Sequence, residues 1–266
     1  MRPSARSTVA LSDVVVVAVS FVVFIGFWEL AVSWLDIKPT LLPAPTDIYR
    51  AFGGLVEAGT LPRHIRTTLT EVLLGFVIGS VLGVVLGTAI TLSRFLNRLL
   101  YPYIIVLQVI PKVAIAPLLL VWFGFGIESK VVMAVLISFF PLLVNTIAGL
   151  QNIDQDYLDL MTALKATRFH SFRHVRFPTA LPYIFAGLET GIVLSVIGAI
   201  VGEFVGAGEG LGYLIMLFNA NLNIPGVFAV LAILAILGVL LHTSIGFARR
   251  KIVFWTGTGQ ERFTGA

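Results

Sequence analysis

The sequence predicts an all-α membrane protein with six spanning helices, and three observations carry that expectation. Hydrophobic residues fill 58% of the 266 positions and charged residues only 12%, with a mean hydropathy of +0.98, a balance outside the range of water-soluble domains. Six stretches reach the roughly 20 apolar residues needed to cross a bilayer: about 14–35, 69–92, 103–123, 131–150, 183–205 and 227–247. Between the fourth and fifth lies a polar, basic segment, DQDYLDLMTALKATRFHSFRHVRFPTALP, over 154–182. It is too charged to sit in lipid and too long to be a turn.

The first span follows Arg2 and Arg6 without a small-residue cleavage pattern, so it is expected to be a retained anchor and not a removed signal peptide. After it, Pro39, Pro43 and Pro45 precede Thr46-Asp47, an N-cap signature for a short helix through about Val56. That helix reads either as an interfacial helix or as a plain spacer. This anchor and external helix make up 1–67.

Lys and Arg fall unequally on the two sides of the spans. Twelve lie on one side, Arg2, Arg6, Arg94, Arg98, Lys165, Arg168, Arg173, Arg176, Arg249, Arg250, Lys251 and Arg262. Five lie on the other, Lys38, Arg50, Arg63, Arg66 and Lys130, with Lys112 inside a span. The richer side is expected to be cytoplasmic, with both termini and the polar segment on it. The net charge of +4 is therefore a topology signal and not a footprint for nucleic acid.

The second span carries Gly75, Gly79, Gly83 and Gly87, a four-residue spacing that gives one helix face for close packing within the bundle. The third contains Pro111 and Pro117, which remove backbone hydrogen bonds and are expected to break it, as in helices that line pathways. Pro111, Lys112, Pro117 and, in span five, Glu203 are the candidate translocation-path residues. Glu203 is expected to face a pathway or pair with Lys112, unless its role is structural. Glu29 and Glu71 are placed near the interface, and Glu189 is a further ionisable group in a span. The glycine-rich Gly206-Ala207-Gly208-Glu209-Gly210-Leu211-Gly212 reads as an external turn or a re-entrant piece.

In the polar segment, Asp154, Asp156 and Asp159 precede Lys165, Arg168, Arg173 and Arg176, so acid opens and base closes a helical stretch. Leu158, Met161, Ala163 and Leu164 add a modest apolar stripe. The segment reads as a lever that docks on a cytoplasmic partner, or as an amphipathic helix on anionic lipid.

Several chemistries are excluded. With no cysteine there is no disulfide, thiolate metal site or cysteine nucleophile. No G-x-x-x-x-G-K-[ST] is present, so the chain is not expected to hydrolyse ATP. His170 and His174 stand at i and i+4, but a third ligand is lacking nearby, so a basic docking face is expected in preference to a metal site. No catalytic or metal residues are assigned.

The polar segment resembles the signature loop of bacterial ATP-binding-cassette importer permeases, Glu-Ala-Ala, three residues, Gly, nine residues, Ile-x-Leu-Pro. Counting back from Val175-Arg176-Phe177-Pro178 places Lys165 at the glycine position and Asp159 at the acidic one. The nitrate, sulfonate, taurine and bicarbonate subgroup is resembled along most of the chain: Leu42-Pro43-Ala44-Pro45-Thr46-Asp47-Ile48, Ile110-Pro111-Lys112-Val113-Ala114-Ile115-Ala116-Pro117, Trp122-Phe123-Gly124-Phe125-Gly126, Gly202-Glu203-Phe204 and Gly210-Leu211-Gly212-Tyr213. That subgroup also takes in permeases for thiamine-precursor pyrimidines, flavins and aromatic acids. Glu189 departs from it, standing where relatives commonly carry a basic residue.

The resemblance implies a type-1 importer bundle with a cytoplasmic coupling helix. A core permease domain over 68–248 would contain the coupling loop, 152–182, and 249–266 would be a cytoplasmic tail. The coupling helix would span 156–169, with Asp156, Asp159, Leu160, Ala163, Leu164, Lys165, Ala166, Arg168 and Phe169 meeting the ATPase. Pro178 and Pro182 would set its angle to span five, and Gly187 completes the matched pattern. Implied partners are a cytoplasmic ATPase dimer, an extracytoplasmic solute-binding protein, a second permease copy and the lipid bilayer of the bacterial inner membrane. ATP and Mg²⁺ would sit on the partner, with no cofactor on this chain. The rival reading is a secondary transporter driven by an ion gradient, against which stand the missing internal repeat and the few buried acids.

Overall fold

A computed structural model describes residues 11–255 and shows no strands among them. Helices run in the order α1 (Leu11–Trp34), α2 (Pro45–Glu57), α3 (Leu61–Leu92), α4 (Arg94–Val109), α5 (Ala116–Phe123), α6 (Ile127–Gln151), α7 (Gln155–Ala163), α8 (Arg168–Ser171), α9 (Phe177–Gly206), α10 (Leu211–Ala220) and α11 (Ile224–Ile252). Five are long and apolar enough to cross a membrane, and the bent pair of α4 with the segment Lys112–Phe123 brings the number to six.

The chain divides into two compact units. One runs through Leu61 and takes in Leu214–Ile233; the other comprises Pro62–Tyr213 and continues from Leu234.

In the first unit, most side chains of α1 from Val15 to Trp34 are exposed, as those of an apolar helix in lipid are. Trp28 is its protein-side anchor, with ring centroids 6.4 Å from Phe24 and 6.1 Å from Phe228. The expected cap of α2 is replaced by a more distant one. Ala44 is the N-cap residue and has no capping side chain, while Glu29 of α1 accepts from Thr46 N at 3.1 Å and Thr46 Oγ1 at 2.9 Å. Glu29 thus fixes where α2 begins.

In the second unit, α6 lies between two helices that approach it through small residues. A Cβ on Gly75, Gly79 or Gly83 of α3 would overlap Ala134, Ser138 and Leu142 of α6, and one on Gly87 would press on Thr146. The predicted glycine face therefore packs inside the bundle. A second such face, which the sequence reading did not single out, lies on α9. There Gly191 meets Leu142, Gly198 meets Ala134 and Gly202 meets Lys130, while Gly187 packs on Asn145 and Leu142. Close backbone approach is what holds helices together where lipid removes the hydrophobic drive.

The expected third span is broken as its prolines require. α4 ends at Val109, a 3₁₀ turn covers Lys112–Ile115, and α5 follows, the two halves bent by 84°. Pro111 has no N–H to offer the carbonyl of the preceding turn. The second span starts earlier than expected, at Leu61, which puts Arg63 and Arg66 on a helix. α11 extends to Ile252, so Arg249 and Arg250 are helical, and Arg249 reaches Glu189 at 3.3 Å.

Candidate functional site: a polar helix–turn–helix and a buried polar knot

The single coupling helix expected over 156–169 is two helices and a turn. Asp154 opens α7 by accepting from Asp156 N at 3.1 Å, and Thr167 opens α8 by accepting from His170 N at 3.2 Å. Between them α7 closes in a Schellman motif: Ala166 N donates to Met161 O and Lys165 N to Thr162 O, both at 2.9 Å. That motif puts its first residue beyond the cap in the left-handed region, and Lys165 has φ 52° there. The position aligned with the family's glycine is thus the one whose backbone favours glycine.

The break also corrects the expected charge pattern. α7 carries Asp156 in its first turn and no base in its last, because Lys165 and Arg168 lie beyond its end. The expected apolar stripe divides as well. Leu158 and Met161 are half-buried, whereas Tyr157, Leu160, Leu164 and Phe169 are 55–70% exposed. Tyr157 was missed by the sequence reading, its signal being the i, i+3, i+7 spacing with Leu160 and Leu164. Asp156, Asp159, Ala163 and Arg168 are exposed beside them, and Ala166 is half-buried. A crevice of about 330 Å³ lies across the turn, lined by Met161, Leu164, Ala166, Thr167 and His170.

From α8 the chain passes through a π-helical segment, Phe172–Arg176, into α9. Pro178 lies in the first turn of α9 and Pro182 inside it. Lacking an N–H, Pro178 leaves the carbonyl of His174 without its helical donor, and a local π register is a common adjustment there. His170 and His174 stack with ring centroids 4.1 Å apart, and His174 Nδ1 lies 3.1 Å from His170 O.

The second polar cluster lies within the spans. Glu203 is 1% exposed and does not meet Lys112. It accepts from Thr68 Oγ1 at 2.6 Å and closely from Gly212 N. Thr68 Oγ1 in turn accepts from Leu211 N at 2.8 Å, and His64 Nδ1 from Gly210 N at 3.0 Å. The first amides of α10 are therefore capped by side chains of α3 and α9. Gly210, with φ 116°, could not carry a Cβ without overlapping the Glu203 carboxylate. Arg63 grips Glu209 in the same loop through a bidentate pair, one arm at 2.8 Å.

Lys130, counted in the sequence as an external charge, is 1% exposed. Its ammonium donates to Phe125 O at 2.6 Å, Gly126 O at 3.0 Å and Gly206 O at 2.7 Å, closing the C-terminal end of α9. Glu71, expected near the interface, is 2% exposed and its carboxyl faces that of Glu203. α10 itself was not expected from the sequence, which offers no local cap residue to announce it.

Of the other path candidates, Lys112 donates to Gln108 O at 3.2 Å and lies 4.5 Å over the Phe140 ring. Pro111 caps the 3₁₀ turn and Pro117 sits in the first turn of α5. These three residues form the bend.

Long apolar helices, one of them broken, together with a polar helix–turn–helix, fit a multi-pass membrane protein. The chain belongs to the family of binding-protein-dependent transport system inner membrane components, whose pattern matches residues 79–253. It is 39% identical to the riboflavin transport system permease protein RibX of Chloroflexus aurantiacus, over 89% of this chain and 88% of that one. It is 36% identical to the formylaminopyrimidine transport permease protein ThiX of Halalkalibacterium halodurans, over 88% of this chain and 93% of that one. Its fold is similar to a chain in inward-facing structures of the MetNI methionine transporter, with a TM-score of 0.63 and 22% identity over 72% of this chain and 95% of that one.

Proposed function

We propose that this chain is the permease subunit of an ATP-driven importer, converting ATP hydrolysis on a separate cytoplasmic ATPase dimer into alternating access for a small solute. The observation that carries the proposal is the α7–α8 unit. It exposes Tyr157, Leu160, Leu164 and Phe169 outside the spans, flanked by Asp156, Asp159 and Arg168, around an open crevice. Apolar anchors ringed by charge suit a protein partner.

In this reading the two helices move as a short lever when the ATPases close, and the Schellman turn keeps them at a fixed angle. The partner must bind the two permease states with different affinity, since a lever gripped equally in both transmits no work. Solute arrives from an extracytoplasmic binding protein, a second copy of this chain completes the path, and both termini face the cytoplasm. Similarity to permeases named for riboflavin and formylaminopyrimidine, and also for sulfonates, taurine and nitrate, supports a solute drawn from these small-molecule groups.

The test is a pull-down of the full chain from mild detergent, followed by ATPase assays with candidate loaded binding proteins. A co-purifying ATPase stimulated by one loaded binding protein is expected. Uptake that survives ATP depletion but stops when the ion gradient is collapsed would sink the proposal in favour of secondary transport.

A further inference from the structure

We infer that the crevice between α1 and α2 is a binding site for a membrane phospholipid with a protonated amine in its headgroup, the phosphatidylethanolamine type. The inference needs only that α1 crosses the membrane and stands whether or not ATP drives transport.

The crevice measures about 490 Å³ and changes chemistry along its length. Ile25 and Gly26 line its apolar part, and one helical turn further along α1 stands Glu29, facing Thr46, Tyr49 and Arg50 of α2. A Cβ on Gly26 would meet nothing within 4 Å, so the apolar floor is open. Its place in the fold matches this grading, since the apolar run of α1 ends a few residues beyond Glu29 and the loop after Trp34 brings the start of α2 at Pro45 back beside it.

The two charges are held differently. Glu29 is oriented by Thr46, whose amide and hydroxyl each take one carboxylate oxygen, and each oxygen keeps a further lone pair. Arg50 is 79% exposed and makes one 3.4 Å contact to Asp47, so most of its five donors are open. A phosphate suits the planar fork of Arg50, and a primary ammonium donates to Glu29. Acyl chains would then run past Gly26 and Ile25 into the bilayer. A choline headgroup satisfies the arginine but has no N–H for Glu29. An anionic glycerol headgroup places hydroxyls where Glu29 wants a cation, beside the second carboxylate of Asp47.

The test is native mass spectrometry of the full chain, purified in mild detergent and incubated with mixed micelles of equal phosphatidylethanolamine, phosphatidylcholine and phosphatidylglycerol. One retained phosphatidylethanolamine per chain is expected, favoured about tenfold over the other two, the worth of one charge-assisted hydrogen bond. Gly26→Phe, whose Cβ enters open space and whose ring would occupy the apolar floor, and Arg50→Gln should each cut retention about tenfold. Glu29→Gln should level phosphatidylethanolamine with phosphatidylcholine. Equal retention of the three lipids by the wild type, or full retention by Gly26→Phe, would overturn the site. So would disulfide cross-linking of Gly26→Cys to a second copy in membranes, because the crevice would then be a protein interface.

Discussion

At Lys165 a lysine holds a left-handed backbone that an L side chain adopts at a cost of about 1–2 kcal/mol, a cost glycine does not bear. Lys165→Gly is therefore expected to raise the thermal midpoint of the purified protein or leave it unchanged, whereas Lys165→Val should lower it and loosen α7 against α8. Equal midpoints for the glycine and valine variants would show that the turn is not held as described. The same reasoning applies with opposite sign at Gly210, where a Cβ would strike Glu203. Gly210→Ala should cost about 3 kcal/mol, read as a lower midpoint by differential scanning fluorimetry. Glu203→Leu strands the Gly212 amide and the Thr68 hydroxyl away from water, at about 1–3 kcal/mol each, while Glu203→Gln keeps an acceptor and should fall between. A leucine variant as stable as the wild type would remove Glu203 from its capping role. Lys165 could be marked from the sequence because its neighbours fix the motif. The role of Glu203 could not, because the threonine it accepts from lies 135 residues away.

Among the elements, α7 and α8 are where the proposed coupling is most exposed to test. Asp159→Arg reverses a surface charge and Ala163→Trp adds bulk to an exposed position of a helix with no buried residues, so neither should hinder insertion. Both are expected to reduce ATP-dependent uptake about tenfold or more at unchanged membrane levels, the scale of losing one interface anchor. Normal uptake in both variants would count against docking through this segment. The α3–α6–α9 packing makes a contrasting case, since Gly79→Leu must push α3 away from Ser138 and should deplete folded protein from the membrane altogether. The existence and type of these elements were legible where apolar length or proline spoke locally. The split of the coupling helix was not, because its signal is glycine and the chain carries lysine there. α10 was hidden for a related reason, its caps coming from α3 and α9.

For the whole molecule, the lack of native cysteine makes single-cysteine labelling a direct reading of topology. Ala163→Cys should react with membrane-impermeant maleimide only from the cytoplasmic side, and Gly208→Cys, whose Cβ position is open, only from the other side. Labelling of both positions from one side would reverse or break the proposed arrangement. The charge count behind this orientation stands without Lys130, which is spent on backbone carbonyls inside the fold and faces no headgroups.

The sequence by itself determined that this is a membrane protein with six apolar stretches, that the third of them breaks and that 154–182 is too charged for lipid. Each of these is a sum over neighbouring residues, such as apolar length, missing N–H groups or clustered charge, and needs no knowledge of the fold. Only the tertiary structure decided that Glu203 and Lys130 close the ends of α10 and α9, that Glu29 caps α2, and that α6 is gripped by glycine faces on two sides. Those pairings depend on the rotation and depth at which distant helices meet, and a one-dimensional pattern does not carry them.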